Sequence, residues 1–234
     1  MQGAKFIEPE WQAPPGVHAL VTTRAAGNLL ALRSTLPALP GAPRWLKQVH
    51  GITVADLDLL PRDEVEPIAD AAVTTQAGVV CVVRTADCLP VLFAAADGSA
   101  VAAAHAGWRG MAAGVLEATV AALRARLPSQ LQLRAWLGPA IGPGNFEVGE
   151  EVRAAFLAAD AGAGIAFTRG RADRWMCDLY SLARRRLAAL DITDIAGGGL
   201  CTYADEARFY SWRRDVQHRG VDATGRMASL IWRT

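Results

Sequence analysis

Between residues 71 and 105 the chain alternates short apolar runs with small polar interruptions: 71–75, 79–84, 91–95 and 100–105 are rich in Ala, Val, Leu and Phe and too brief for ordinary helices. Such runs, bounded by Gly, Pro and Asp, predict strands of one sheet, with Asp97-Gly98 as the hairpin turn between the last two. A further strand is predicted over 17–23, delivering Arg24 to a loop. After Gly107-Trp108-Arg109-Gly110, read as a turn, the apolar positions Val115, Leu116, Val120, Leu123 and Leu127 recur at helical spacing together with Thr119. Arg124 and Arg126 fall in the last turn before Pro128, where cations suit the negative end of the helix dipole. The pattern continues with a strand over 132–137 and a Gly- and Pro-rich turn over 138–144. Helices follow near 150–159 and 179–190, and a closing strand over 227–232. Residues 25–43 carry no period and are left unassigned.

The order is mixed α and β without internal repeats. With 234 residues, 52% of them hydrophobic and 20% charged, the chain is expected to form one folded domain, 1–234. A net charge of +1 supplies no general field for a polyphosphate backbone, so nucleic acid is not an expected partner. The N-terminus lacks the apolar core of a secretory signal, and charges interrupt the most apolar stretches before they could span a bilayer, so a cytosolic protein without a membrane partner is expected. Cys81, Cys88, Cys177 and Cys201 form no CxxC pair and read as free thiols or ligands. Cys81 and Cys177 read as bystanders, as do His18 and His218.

Against this background three residues stand out: His50 in Lys-Gln-Val-His-Gly, Cys88 in Ala-Asp-Cys-Leu-Pro and His105 in Ala-His-Ala-Gly-Trp-Arg-Gly. Each lies beside a strand-like run, where side chains leave the core. Two imidazoles and a thiolate form a set that zinc accepts while keeping its fourth position open. Zinc so held would bring the pKa of bound water to about 7, which puts hydrolysis or deamination within reach. Asp87 is a candidate proton acceptor or hydrogen-bond partner of a ligand. Two other readings use the same residues: Cys88 as a nucleophile with His105 or His50 as base, and a His2Cys copper site. A multicopper oxidase needs more histidines than the four present.

The helix that follows Gly110 would point its free N–H groups toward the His105 loop, with Arg109 reinforcing an anion pocket there. A second cluster, 209–215 with 224–226, mixes Phe209, Tyr210 and Trp212 with Arg213, Arg214 and Arg226, a combination that can stack a heterocycle and neutralise phosphate.

Taken together, Gln48-Val49-His50-Gly51, Ala86-Asp87-Cys88-Leu89-Pro90, His105 to Gly110, Gly138 to Pro143, Cys201-Thr202-Tyr203 and Phe209 to Asp215 resemble the bacterial laccase-domain family. Its members are named polyphenol oxidase, purine nucleoside phosphorylase or peptidoglycan editing factor. The resemblance runs from about Val17 to the C-terminus. It implies a four-layer α/β/β/α sandwich with mixed sheets and zinc held by His50, Cys88 and His105, with copper the lesser alternative. It also implies phosphorolysis of adenosine, inosine and methylthioadenosine with some adenosine deamination, in a cytosolic enzyme linked by name to peptidoglycan editing. Arg24 corresponds to a substrate-side arginine, and Arg109, Arg213 and Arg214 are expected to bind substrate or phosphate. One departure is the 25–43 segment, shorter than the family's loop and without its His-Val-Gly-Asp-Asp stretch.

Overall fold

Alternation within the apolar runs decides which sheet face each residue covers, and in this chain both faces are buried. The computed structural model describes residues 4–27, 39–61 and 66–234; the middle of the unassigned segment, 28–38, lies outside them. The strands are β1 (Phe6–Ile7), β2 (Val17–Thr22), β3 (Pro43–Arg44), β4 (Val54–Asp56), β5 (Ala71–Thr74), β6 (Val80–Thr85), β7 (Leu89–Ala95), β8 (Val101–Ala106), β9 (Leu133–Leu137), β10 (Glu147–Val148), β11 (Phe167–Arg169), β12 (Trp175–Cys177), β13 (Asp194–Gly197) and β14 (Met227–Arg233). The helices are α1 (Trp108–Ala113), α2 (Val115–Arg124), α3 (Glu150–Ala159) and α4 (Leu179–Ala188), with a π-helical turn at Arg213–His218.

Two mixed sheets, ordered β1-β2-β14-β6-β3 and β13-β9-β7-β8-β5-β4, pack face to face through β6 and β14 against β7 and β8. On β8 the odd positions Val101 and Ala103 join Ala72, Leu92 and Ala94 of the same sheet in the layer between the sheets, with Cys81, Val83 and Ile231 opposite. The even positions Ala102, Ala104 and Ala106 join Val91 and Phe93 beneath α2 and α4. A strand covered on both sides must be apolar throughout, which is why its sequence reads as a continuous run. Alanine at most β8 positions lets both layers approach closely. Burial of each large side chain in these layers, such as Phe93 or Leu92, contributes about 1.5–3 kcal/mol. The far face of the first sheet is covered, among the described residues, by Ala26, Leu39 and Trp45 over Leu20, Val82 and Leu230. The mixed α/β architecture read from the sequence is the one observed.

Local elements differ in instructive ways. The turn expected at 107–110 is helical: α1 begins at Trp108, and Gly114, at φ 107°, closes it by donating to the Gly110 and Met111 carbonyls before α2 starts. Only glycine takes that left-handed position without strain, so one predicted helix becomes two. The three-stranded sheet β10-β12-β11 and the edge strand β13 were not anticipated. They are short, and the segment from β11 to β12 carries Arg169, Arg171 and Arg174 where alternating apolar residues would mark a strand.

Candidate metal centre and its cavity

Strand register brings the first two components together. β5 and β8 pair antiparallel with Ala71 opposite Ala104 and Ala72 opposite Ala103. One step beyond, Asp70 therefore faces His105, on the face between the two sheets. The Asp70 carboxylate is fully buried, and its Oδ1 lies 2.8 Å from His105 Nδ1. A carboxylate held ionised can only accept, so Nδ1 keeps its proton and Nε2 is the atom that, once deprotonated, is left to act as a ligand. Burial works against the charge on Asp70, yet hydrogen bonds from His105, Gly51 and Val49 outweigh it and hold the group below the usual carboxylate range.

Asp70 also builds the loop that carries His50. Its oxygens accept the main-chain N–H groups of Val49, His50 and Gly51 at 3.1, 2.9 and 2.7 Å. Upstream, the Gln48 side-chain amide pairs with both main-chain groups of Arg84 on β6. Pinned at both ends, His50 takes a left-handed backbone conformation, φ 61°, a strained geometry that marks functional sites when the surroundings enforce it. Cys88 follows Asp87, itself at φ 89°, in the turn between β6 and β7.

The three side chains converge. His50 Nε2 lies 3.7 Å from Cys88 Sγ, the two imidazoles meet edge to face at 4.7 Å between centroids, and all three ligand atoms lie within 4.8 Å of one another. An ion bonded at about 2.0–2.1 Å to nitrogen and 2.3 Å to sulfur would hold them at nearly this spacing. A methyl group on Gly107 would stand 2.9 Å from His50 Cδ2 and 3.0 Å from Cys88 Sγ, so glycine is what lets α1 start beside the cluster. Burial raises the Cys88 thiol, but hydrogen bonds and charge from His105 and His50 prevail and bring it down to about 6. Burial likewise opposes protonation of His105, yet Asp70 and Cys88 push it up to about 9. Cys88 and His105 thus pair as thiolate and imidazolium, and a divalent ion with a preference for thiolate and imidazole would fit this donor set by displacing the His105 proton.

A cavity of about 690 Å³ opens over the cluster, within the range of small-molecule sites. Trp108, Phe146 and Trp212 supply aromatic walls, while Arg84, Arg109, Arg213 and Arg226 line its rim.

The family model described as "Multi-copper polyphenol oxidoreductase laccase" matches residues 22–234. The chain belongs to this family. Among its relatives, the purine nucleoside phosphorylase of Xylella fastidiosa is 47% identical over 255 aligned positions, covering 95% of each chain. The Escherichia coli purine nucleoside phosphorylase YfiH is 45% identical, covering 98% of this chain and 99% of its own. Among solved structures, a DUF152-family protein of Neisseria meningitidis superposes with a TM-score of 0.83 at 38% identity, covering 98% of this chain and 99% of that one. YlmD from Geobacillus stearothermophilus does so at 0.79 and 27%, covering 94% and 92%.

Within this laccase-family site the arginines divide. Arg109 and Arg213 face the cavity, Arg109 with its guanidinium 4.5 Å over the Trp108 ring and Arg213 with its own 5.3 Å over Phe146. Arg24 and Arg214 do not line it. Arg214 is buried and spends its guanidinium on the Thr202, Tyr203 and Phe209 carbonyls and on Asp215. Arg24 reaches the same carboxylate at 3.3 Å and lies over Tyr210. Arg214, expected to bind substrate or phosphate, has its donors engaged by main-chain carbonyls and Asp215 and is absent from the cavity wall.

Asp87, expected as a proton acceptor or hydrogen-bond partner of a ligand, lines the cavity but makes no hydrogen bond to any of the three. Its carboxylate accepts from Thr202 Oγ1, Ser211 Oγ and the Arg213 N–H, tying the C-terminal segment to the Cys88 turn. The carboxylate that orients the ligands is Asp70, which sequence reasoning missed. One signal was present, an acid set directly against the apolar run that begins at Ala71. The helix expected to aim its N-terminus at the site also differs, since the long helix α2 starts only at Val115 and the element beside His105 is the six-residue α1. His18 stacks on Trp232, Cys81 and Cys177 are core residues, and no helix among the described residues is long and apolar enough to cross a membrane.

Proposed function

We propose that this chain is a zinc-dependent purine nucleoside phosphorylase that converts a purine nucleoside and phosphate to the free base and ribose 1-phosphate. The observation that carries the reading is the His50, Cys88, His105 cluster on the floor of an aromatic, arginine-rimmed cavity, in a chain whose relatives bear that name. Zinc on these three ligands would act as a Lewis acid with one position open to substrate or water. Only one such cluster occurs among the described residues, which with four histidines in the chain argues against a multicopper oxidase.

The chain's own residues bind and orient. Trp108, Phe146 and Trp212 offer faces for the purine, and Arg109 and Arg213 offer guanidinium forks for phosphate. In the reaction the bond from ribose C1′ to the purine nitrogen breaks, a phosphate oxygen bonds to C1′, and the leaving purine takes a proton. Holding both reactants in line accounts for much of the rate in such a step. Adenosine deamination at the same centre is the expected side reaction, and adenosine, inosine and methylthioadenosine are the expected substrates. Activity in the cytosol, and through it a part in peptidoglycan editing, belong to the same reading.

A second reading uses the residues without metal, with Cys88 as nucleophile and His50 or His105 as base; the thiol's descent to about 6 favours it. Protein purified without added metal is analysed for bound ions and then assayed with inosine and phosphate. The phosphorylase reading expects zinc near one per chain and ribose 1-phosphate, with both lost in Cys88→Ser. Turnover that survives chelators and stops on thiol alkylation would favour the hydrolase instead.

A further inference from the structure

A second cavity, of about 620 Å³, lies on the other side of Arg213 from the metal centre. Its walls carry Arg169, Arg171 and Arg174 from the β11–β12 hairpin and Arg213 from the π-helical turn, with Tyr203 and His218 beside them. Glu147 is the only carboxylate residue among the lining residues, and it pairs with Arg171. Four guanidinium groups against one carboxylate leave three net positive charges facing a single space. Among the described residues, Arg169, Arg174 and Arg213 have no carboxylate within ion-pair distance.

Two of these groups are held ready. Arg169 lies 4.3 Å over the Trp175 ring, and Arg213 is stacked on Phe146 and fixed by donation from Nη1 to the Glu147 carbonyl. Its Nε is buried without a partner, an arrangement that costs free energy unless a ligand or water completes it. Stacked, part-ordered guanidinium groups lose less freedom when they bind, and their forks match phosphoryl oxygens in pairs.

We propose that this second cavity binds a small molecule carrying a diphosphate group. Three unpaired guanidinium groups around one space match the two or three charges of a diphosphate at neutral pH better than those of a carboxylate or a single phosphate. The Tyr203 ring, edge-on to His218 at 5.6 Å and hydrogen-bonded to it through its hydroxyl, gives an organic moiety a surface to pack on. The site communicates with the metal centre through Arg213, whose N–H holds Asp87 immediately before Cys88. An anion here competes for the guanidinium that also lines the first cavity.

The inference stands independently of the phosphorylase reading and is tested by binding alone. Calorimetric titration with pyrophosphate, and separately with inorganic phosphate, compares wild type with Arg169→Ala/Arg174→Ala, whose side chains are on an exposed hairpin and make no hydrogen bond that folding requires. Pyrophosphate should bind wild type more tightly than phosphate and bind the double variant roughly tenfold or more weakly. Chelation at the metal centre would affect wild type and double variant alike. Equal pyrophosphate affinity in both, or no binding to wild type, would each overturn the proposal.

Discussion

Asp70 accepts the Nδ1–H of His105 at 2.8 Å while gathering three successive N–H groups from the loop that carries His50. One buried carboxylate thus orients two of the three candidate ligands, setting the tautomer of one and the backbone of the other. Asp70→Asn keeps the size and loses the charge, and its amide must turn a donor toward some of these N–H groups. Carboxylates behind metal-bound histidines contribute about 10–100-fold to metal affinity. Zinc affinity by competition with a chromogenic chelator should therefore fall by at least that factor, with turnover falling alongside. Unchanged affinity would mean that Asp70 serves the fold alone.

The absence of a side chain matters as much at Gly107. Its Cα stands where a methyl group would press on His50 Cδ2 and Cys88 Sγ at 2.9 and 3.0 Å. Both neighbours are ring or sulfur atoms held by the cluster, so neither retreats without leaving its ligand position. Gly107→Ala should lose zinc and phosphorolysis while melting within a few degrees of wild type. A variant that retains one zinc per chain would show that the cluster is slacker than its geometry implies.

Much of this arrangement is legible in the sequence, and what is not is hidden for physical reasons. The strands from Ala71 to Ala106 announced themselves because burial on both faces leaves no room for polar residues. His50, Cys88 and His105 stood out because the chain has few histidines and each ligand interrupts an apolar context. Asp70 was missed because its partner is thirty-five residues away, and only strand register places the two opposite. Arg213 and Arg214 are adjacent in sequence, yet one faces the cavity and the other is buried. Nothing in a residue name states which way a guanidinium turns. Gly114 hid a helix break for a similar reason, since a left-handed position is a property of the backbone.

Acid should expose the carboxylates that the fold holds ionised. Burial opposes the charge on Asp58, Asp70 and Asp215, but hydrogen bonds from Thr74 and Thr75, from His105 and the His50 loop, and from Thr224 and Arg214 overcome it, so all three are held below the usual carboxylate range. A carboxylate whose pKa is lower folded than unfolded stabilises fully above the unfolded value and loses that contribution as pH falls through the folded one. Melting temperature followed by circular dichroism should change little through these groups down to about pH 4–5 and drop below it. Asp58→Asn should flatten the acid limb, and an unaltered limb would assign it to other groups.

In metal-free protein the cluster itself should titrate. Cys88, drawn down to about 6 by His105 and His50 against the effect of burial, should be mostly thiolate at neutral pH. Its alkylation rate should rise with a midpoint near pH 6 and be suppressed by one equivalent of zinc. A midpoint in the ordinary cysteine range, about 8.5, would mean that the imidazoles do not reach the sulfur.

Arg109 and Arg214 give opposite predictions from one residue type. Arg214 is buried, satisfies three main-chain carbonyls and pairs with Asp215 at 2.8 Å, so Arg214→Ala strips partners from buried acceptors and leaves a carboxylate with fewer cations. Breaking such a pair costs about 3–5 kcal/mol, or a fall of about 10 °C in melting temperature for a chain of this size. Arg109 is exposed at the cavity rim, resting on Trp108. Arg109→Ala should melt within about 1–2 °C of wild type yet raise the KM for phosphate several-fold, with a smaller change in the KM for nucleoside. Parallel melts and phosphate titrations separate the two roles. If Arg109→Ala leaves the phosphate KM untouched, phosphate binds elsewhere on the rim, and Arg213 becomes the residue to replace next.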